Sequence, residues 1–383
     1  MIYLDHAATC PMRSPVWQVM HRLVGEADFN PASVHSPGGR AAAVLEQARK
    51  EIATALQTSR SDLVFTGGGT QSDNLAVLGF ARAYEGEARI LVSAIEHKAV
   101  LEAARRAASE GSSVEVLPVD STGRLDPQTL DGRLSAGTGS PTLVSVMWAN
   151  SEVGTVQPVR DLCDIAHRHG AAFHTDAVQA VGKLPVLLDD VPADLLTATA
   201  HKLGGPVGIG LLVRRGDVLI EPLAYGGSQE KSMWPGTQNP IGAAGFAEAI
   251  RLATSELPDS ADHWTELRDD LEAGLRRAIP DLVVHGAGAA QRLPHLLSVG
   301  IPGCDQAALL TTLDLEGVAV SAGSACASGV STGSHDLEAI GVQPTGRYAV
   351  LRFSFGPSTT ANEVETAVGA VTKSVARLRG SDA

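Results

Sequence analysis

The sequence has few cysteines, no extended basic stretch and no long apolar run. Its four cysteines, among 383 residues, are scattered and form no CxxC pair. This pattern argues against a disulfide framework and a thiolate zinc site, and it favours a reducing compartment. Lys and Arg number 30 against 43 Asp and Glu, and the resulting net charge of −13 argues against direct nucleic-acid binding. The apolar stretches are too interrupted to predict a membrane span.

The sequence also lacks the pattern of a signal peptide and two common nucleotide-binding motifs. The chain starts MIYLDHAAT, with a Tyr, an Asp and a His where a signal peptide would have a basic segment followed by an apolar run. We therefore expect a cytoplasmic protein. No GxGxxG or Walker A pattern occurs, which argues against a dinucleotide or nucleotide ligand.

Short apolar runs alternate with amphipathic stretches of helical length between residues 60 and 215. The runs at 62–65, 90–95 and 143–147 each precede such a stretch. This alternation predicts an α/β fold whose central sheet is mostly parallel and is covered by helices on both faces.

The remainder of the chain has a looser pattern. A helical stretch over 241–277 is expected to be interrupted near Pro258, and strands are expected at 296–300 and 349–355. These features indicate a second, smaller α+β unit. The expected division is a large domain over 14–255 and a small domain made of 1–13 and 256–383.

Polar or glycine-rich segments follow five of the predicted strands. Ligands bind at the carboxyl ends of parallel strands, so these segments are candidates for one site. They are TGGGT at 66–70, Glu96-His97, Asn150-Ser151-Glu152, Asp176 and His201-Lys202.

Three of these segments together fit a pyridoxal phosphate site. The glycines before Thr70 let backbone amides approach a phosphate at a helix start, although this segment alone is equally typical of a flexible turn. Lys202 lies between an apolar strand and a glycine-rich run, and a desolvated lysine can lose its proton and form a Schiff base. Asp176 could keep a pyridinium nitrogen protonated.

The order of motifs along the chain resembles that of the cysteine desulfurases of the IscS/NifS type. These are fold-type I pyridoxal-phosphate enzymes of the class V aminotransferase family. The resemblance spans nearly the whole chain and includes YLDHAAT (3–9), NPASVH (30–35), FTGGGT (65–70), EHKAV (96–100), EVGT (152–155), HTDAVQ (174–179), VGKLP (181–185), SAGSAC (321–326) and LRFS (351–354).

The resemblance implies a role for each matching residue. Lys202 would bind pyridoxal phosphate and later move the substrate's Cα proton, while His97 would stack on the cofactor ring. Asp176 would pair with the ring nitrogen and Gln179 with O3′. The phosphate would be held by Gly69, Thr70, Thr199 and His201, joined by Thr237 from the second subunit of a homodimer.

Three further residues are expected to contact substrate or cofactor. Ser151 stands where the family has a second Asn, so the contact to O3′ would weaken or pass to Asn150 or water. Asn150 would also contact substrate. Arg352 would bind the substrate carboxylate, although its place on a strand would equally suit an edge arginine that faces water.

Cys326 determines the expected reaction. Its neighbours from Gly323 to Gly329 are small, which predicts a mobile loop. An exposed thiolate could take the sulfur of L-cysteine and carry it as a persulfide. The acceptor would be an iron–sulfur scaffold, a tRNA-thiolating enzyme or a sulfur carrier. No resident metal is expected, and a transient iron–sulfur ligand role for Cys326 stays open.

Other interpretations remain open. The chain could be a selenocysteine lyase or another class V lyase or aminotransferase, or a catalytically silent scaffold. The string GVSTG at 329–333, followed by His335 and Asp336, matches the GxSxG pattern of hydrolases but lacks the required preceding strand. Cys10, Cys163 and Cys304 are interpreted as structural.

Overall fold

A computed structural model describes residues 1–137, 139–323, 334–343 and 346–380. The strands are β1 Ile2–Tyr3, β2 Leu63–Thr66, β3 Arg89–Ser93, β4 Ser113–Leu117, β5 Thr142–Ser145, β6 Ala172–Asp176, β7 Leu195–Thr199, β8 Gly210–Arg214, β9 Val283–Val284, β10 Leu296–Pro302, β11 Val318–Ala319 and β12 Tyr348–Ser354. The helices are α1 Ser14–Leu23, α2 Ser36–Leu56, α3 Gly69–Ala83, α4 Lys98–Ser109, α5 Pro127–Ser135, α6 Val159–Arg168, α7 Pro240–Ala278, α8 Gln306–Leu315, α9 His335–Ala339 and α10 Ala361–Gly380.

The central sheet has seven strands in the order β2-β8-β7-β6-β5-β3-β4. β8 runs antiparallel to both of its neighbours, and the other strand pairs are parallel. The predicted α/β fold with a mostly parallel sheet is therefore confirmed.

Both faces of this sheet are covered, and the strand sequences show why. Successive residues of a strand point to opposite faces. Leu63 and Phe65 join one apolar cluster, while Val64 between them joins another on the opposite face. Strands buried on both faces need apolar residues at consecutive positions, which explains the continuous apolar runs in the sequence.

The long helix α7 differs from the expected interrupted one. It runs unbroken from Pro240 to Ala278 with Pro258 inside it, so the interruption predicted near Pro258 is wrong. A proline leaves the carbonyl four residues earlier without its helical hydrogen bond. Here that carbonyl belongs to Thr254, and both Thr254 and Pro258 are exposed, so water can satisfy it.

A second core lies around the carboxyl-terminal half of α7. The antiparallel sheet β12-β10-β9 contributes Leu297 and Leu351, which pack with Leu271 of α7 and Val371 of α10. This is the smaller α+β unit. The exact division of the chain near residue 255 stays a prediction, since α7 contributes residues to both cores. Within the described ranges, no helix has the length and apolar character needed to cross a bilayer.

Candidate active site

A cavity of about 350 Å³ opens at the carboxyl ends of the parallel strands. The residues after β3 and β5, the ends of β6 and β7, and the start of α3 form its wall. The expected site residues among its lining are Gly69, Thr70, His97, Ser151, Asp176, Gln179, Thr199, His201, Lys202 and Arg352.

The start of α3 forms one end of the cavity. The first backbone amides of a helix have no partner within it and favour an anion. A Cβ on Gly210 of β8 would lie 2.5 Å from the Gly68 carbonyl carbon, so a glycine there lets the strand approach the turn closely. Thr70 follows in the first turn of the helix. This end of the cavity suits a phosphate group.

His201 and Thr199 border the same end. The His201 Nδ1 lies 3.2 Å from the Thr9 hydroxyl, and Thr199 Oγ1 donates to the Ile209 carbonyl at 3.1 Å. Burial, followed by the nearby charges of Lys202 and Lys183, lowers the pKa of His201 to about 4. The imidazole is therefore neutral at physiological pH.

Lys202 reaches the cavity from the short turn that follows β7. Its Nζ donates to the carbonyls of Ala7 and Ala8 at 2.6 and 2.7 Å. Burial lowers its pKa to about 8, and the positive charges of Arg352 and Lys183 act in the same direction. This amine loses its proton far more readily than an ordinary lysine, as a nucleophile or a general base requires.

Two buried carboxyl groups, Asp176 and Asp73, line the cavity. Asp176 ends β6 and accepts a hydrogen bond from the Val178 amide at 2.9 Å, while Asp73 lies one turn into α3. Burial raises the pKa of both groups, and the charge of Asp176 raises that of Asp73 further. A cationic ring nitrogen beside Asp176 would favour its ionised form.

Arg352 is buried and does not face solvent, so the alternative of a water-facing edge arginine is wrong. It is 6% exposed. Its Nη1 donates to the Ser151 carbonyl and its Nη2 to Asp5, each at 2.9 Å. Its Nε is buried without a partner among the described residues. A carboxylate entering the cavity could bind this guanidinium in exchange for Asp5.

Gln179 and His97 lie in the wall between these groups. Gln179 donates to the Ala7 carbonyl at 2.9 Å, and its Oε1 is buried with no partner in the described ranges. His97 is exposed toward the opening and caps α4, where its Nδ1 accepts from the Ala99 amide at 3.1 Å. The cap fixes the orientation of the ring.

Two expected site residues lie elsewhere. The Asn150 side chain accepts from the amides of Glu152 and Val153 and donates to the Ile95 carbonyl. These backbone bonds occupy the side-chain amide, and Asn150 is absent from the cavity lining, so its expected cofactor and substrate contacts stay predictions. Thr237 lines a separate groove beside Gly67. Within one chain it does not reach the phosphate end of the cavity.

Two buried acids near the site were not assigned a role from the sequence. Asp73 lines the cavity, and its Oδ1 has no hydrogen-bond partner in the described structure. Its spacing of four residues from Gly69 places both on one helix face, which could have suggested this position. Glu96 accepts from the Ser93 hydroxyl and the Met147 amide, and burial raises its pKa to about 8.

Cys326 and the string at 329–333 lie outside the described residues. The residues that flank this stretch meet at one side chain. The Ser334 hydroxyl donates to Glu152, and a Cβ on Gly323 would lie 3.2 Å from the Glu152 carboxyl carbon. Gly323 also lines the cavity, so the chain that leads to Cys326 departs from the cavity wall. Cys10, Cys163 and Cys304 are buried and form no disulfide.

The described residues fit the expected cofactor. An amine of lowered pKa, a buried acid, a helix start suited to phosphate and the unpartnered Gln179 Oε1 all face one cavity. Pyridoxal phosphate requires these groups for its aldehyde, ring nitrogen, phosphate and ring hydroxyl.

Comparisons with known proteins agree with this arrangement. The family described as Aminotransferase class-V matches residues 2–366. "Cysteine desulfurase IscS" of Dictyoglomus turgidum is 38% identical over 99% of this chain and 95% of its own length. A solved NifS-like protein is 33% identical with a TM-score of 0.89, covering 97% of this chain and 98% of its own. A structure described as SspA in complex with cysteine is 29% identical with a TM-score of 0.80, covering 94% of this chain and 100% of its own.

Proposed function

This chain belongs to the class V aminotransferase family, among its cysteine desulfurases, and we propose that it converts L-cysteine to L-alanine and leaves the sulfur as a persulfide on Cys326. One observation carries the proposal. Lys202, Asp176 and Arg352 face a single cavity, and the chain that leads to Cys326 departs from its wall at Gly323.

We propose pyridoxal phosphate as the cofactor. When bound, it supplies an electron sink that makes the Cα proton of an amino acid acidic. Lys202 would hold its aldehyde carbon, Asp176 its ring nitrogen and Gln179 its ring hydroxyl. Gly69, Thr70, Thr199 and His201 would hold the phosphate, while His97 would cover the ring.

Arg352 and Lys202 act on the amino acid itself. The buried Arg352 guanidinium would bind the substrate carboxylate, which orients Cα toward the Lys202 amine. Because burial lowers the pKa of Lys202 to about 8, about a tenth of the amine is neutral at pH 7, far more than for an ordinary lysine, and this neutral amine can accept the Cα proton.

Sulfur transfer would occur by attack of the Cys326 thiolate on the substrate sulfur. An S–S bond forms as the Cβ–S bond breaks, and the electron pair of that bond leaves with Cβ. Protonation at Cβ and Cα then gives alanine. No external oxidant is needed, because the sulfur becomes a persulfide while the carbon skeleton is reduced to alanine.

The direct test measures alanine and persulfide together. The holoenzyme given L-cysteine should release alanine, and its intact mass should increase by one sulfur that maps to Cys326. Cys326→Ser should abolish persulfide formation while the cofactor spectrum persists, whereas the matched variant Cys304→Ser should retain activity. Unchanged turnover in Cys326→Ser would contradict the proposal and favour a selenocysteine lyase or another class V lyase or aminotransferase.

We also propose a homodimer in which the partner subunit's Thr237 completes the phosphate site. The support is that Thr237 of the described chain lies outside its own cavity. The persulfide would pass to a sulfur-acceptor protein, either an iron–sulfur scaffold, a tRNA-thiolating enzyme or a sulfur carrier. The scattered cysteines support a reducing, cytoplasmic location.

A further inference from the structure

A second buried lysine lies against the turn that carries Lys202. Lys183 is 7% exposed, and its Nζ donates a hydrogen bond to the Lys202 main-chain carbonyl. It does not line the catalytic cavity. It borders a separate small cavity on the other side of the turn, together with His6, Cys10 and Trp264.

Among the described residues, no carboxylate forms an ion pair with Lys183 or raises its pKa. Burial lowers the pKa of the Lys183 amine to about 8. In the described part of the chain, the Cys10 thiol is the group that raises this pKa. A buried amine without an acidic partner is costly, and an apolar side chain of similar length would fill the same space at lower cost. Filling space alone therefore does not account for a lysine here.

The turn that carries Lys202, residues 200–204, is held by hydrogen bonds to most of its main-chain carbonyls. Lys183 donates the hydrogen bond to the Lys202 carbonyl. The other bonds come from backbone amides. Gly205 donates to Ala200, Cys10 to His201 and Arg13 to Gly204, at 3.0, 3.0 and 2.9 Å. Lys183 is thus the side chain that fixes the backbone from which the Lys202 amine extends.

The segment that carries Lys183 is itself tightly fitted against this turn. Gly182 has a φ of +72°, and a Cβ there would lie 2.8 Å from Leu203 and 2.7 Å from Ala253 of α7. A residue other than glycine would push the segment away from the turn. The Gly182 backbone therefore packs closely against the side chains of Leu203 and Ala253, which holds the Lys183 segment against the turn.

Charges of both signs face the two amines. Lys183 and Arg352 disfavour the charged form of Lys202, and Asp176 and Asp5 favour it. The other titratable or charged groups around the pair are His6, Cys10, Arg13, His201, Glu256 and His295.

We propose that Lys183 is a positioning residue for Lys202: it fixes the Lys202 carbonyl, and its charge favours the neutral Lys202 amine inside the cavity. The use made of that amine rests on the proposed function. The state of the amine itself can be measured without cofactor.

The test is competitive acetylation of the cofactor-free protein across pH, with each lysine read by peptide mass spectrometry. In Lys183→Met the pH midpoint for acetylation of Lys202 should rise by about one unit, a roughly tenfold slower reaction near neutral pH. Lys183→Arg keeps the charge and should return the midpoint close to that of the wild type. Lys373→Met, which removes an exposed lysine paired with Glu316, should leave Lys202 unchanged.

An unchanged Lys202 midpoint in Lys183→Met would overturn the proposal, as would an equal shift in Lys373→Met. If Lys183→Met does not fold, as judged by circular dichroism, Lys183→Gln replaces it with the same expected shift. Cofactor absorbance of the wild type is measured separately. A protein that binds no pyridoxal phosphate would overturn the proposed function, whereas the acetylation result would still decide the role of Lys183.

Discussion

The catalytic cavity and the junction between α2 and residues 229–232 both bury charged side chains, but they differ in how these are partnered. At the junction, Arg49 binds both carboxylate oxygens of Glu230 at 3.1 and 2.8 Å and also donates to the Leu63 carbonyl. Glu230 additionally accepts from the Phe65 amide. In the cavity, by contrast, Asp73 and Arg352 each keep a buried polar atom without a hydrogen-bond partner among the described residues.

This difference distinguishes charged groups that stabilise the fold, such as Arg49 and Glu230, from charged groups in the cavity that are available to bind a ligand. Glu230, Lys231 and Ser232 have φ values of 45°, 59° and 63°, a left-handed conformation that costs free energy in non-glycine residues. The Arg49–Glu230 pair fixes this strained segment in place. Under the proposed function, the cavity groups would gain their missing partners from substrate or cofactor, which would explain why they are left unsatisfied.

Removal of the Lys202 amine should produce the largest effect on the cavity side. We expect Lys202→Ala to reduce alanine formation by about ten-thousandfold or more, because it removes both the covalent anchor and the proton acceptor. Stability should not fall, since the variant no longer buries an amine that resists protonation. Alanine release and urea unfolding measure the two effects. Substantial residual turnover would show that another group moves the Cα proton.

At the junction, by contrast, we expect a substitution to lower the stability of the protein. Arg49→Met leaves the Glu230 carboxylate buried without its cation, so we expect the free energy of unfolding to fall by about 3–5 kcal/mol. The double variant Arg49→Met/Glu230→Gln removes both charges and should recover much of this loss. Urea unfolding of the single and double variants measures it. A loss below about 1 kcal/mol in the single variant would contradict the structural role assigned to the pair.

The sequence was sufficient to predict the residues of the cavity that directly follow strands. His97, Asp176 and Lys202 each come after an apolar run, and the carboxyl ends of parallel strands meet at one sheet edge. Residue chemistry suggested the roles of Lys202 and Asp176, whereas the role of His97 came from the resemblance. Arg352, on a strand of the smaller unit, could not be placed by this rule.

Other features depend on contacts that no local pattern encodes. Arg49 and Glu230 are far apart in sequence, and neither has a neighbouring motif that predicts the other. Asn150 carries a residue type suited to ligand binding, yet the turn at Glu152 and Val153 uses its side chain. Pro258 would normally end a helix, but exposure of the freed carbonyl lets α7 continue.

Neutralising one acid of the cavity should have a smaller effect than either of these changes. We expect Asp176→Asn to lower turnover by about a hundredfold, because a neutral amide cannot stabilise a protonated ring nitrogen. The cofactor should still bind, since Lys202 and the phosphate end are intact. Alanine formation and cofactor absorbance distinguish these effects. The matched control Asp259→Asn changes an exposed acid on α7 and should leave turnover unaffected. An equal loss of turnover in this control would show that the effect of Asp176→Asn does not depend on its buried position in the cavity.

Glu96 is intermediate between the junction and the cavity. One of its carboxyl oxygens is hydrogen-bonded, as at the junction, and the other is buried without a hydrogen-bond partner in the described structure, as in the cavity. Burial raises its pKa from 4.5 to about 8, so the unfolded chain releases this proton at lower pH than the folded one. Between these values the wild type loses stability as pH rises, whereas Glu96→Gln has no proton to release. The variant should match the wild type near pH 4.5 and exceed it by about 3 kcal/mol near neutral pH. Urea unfolding across this range measures the difference, and a gap that does not widen with pH would mean that Glu96 is ionised in the folded protein and is satisfied like Glu230.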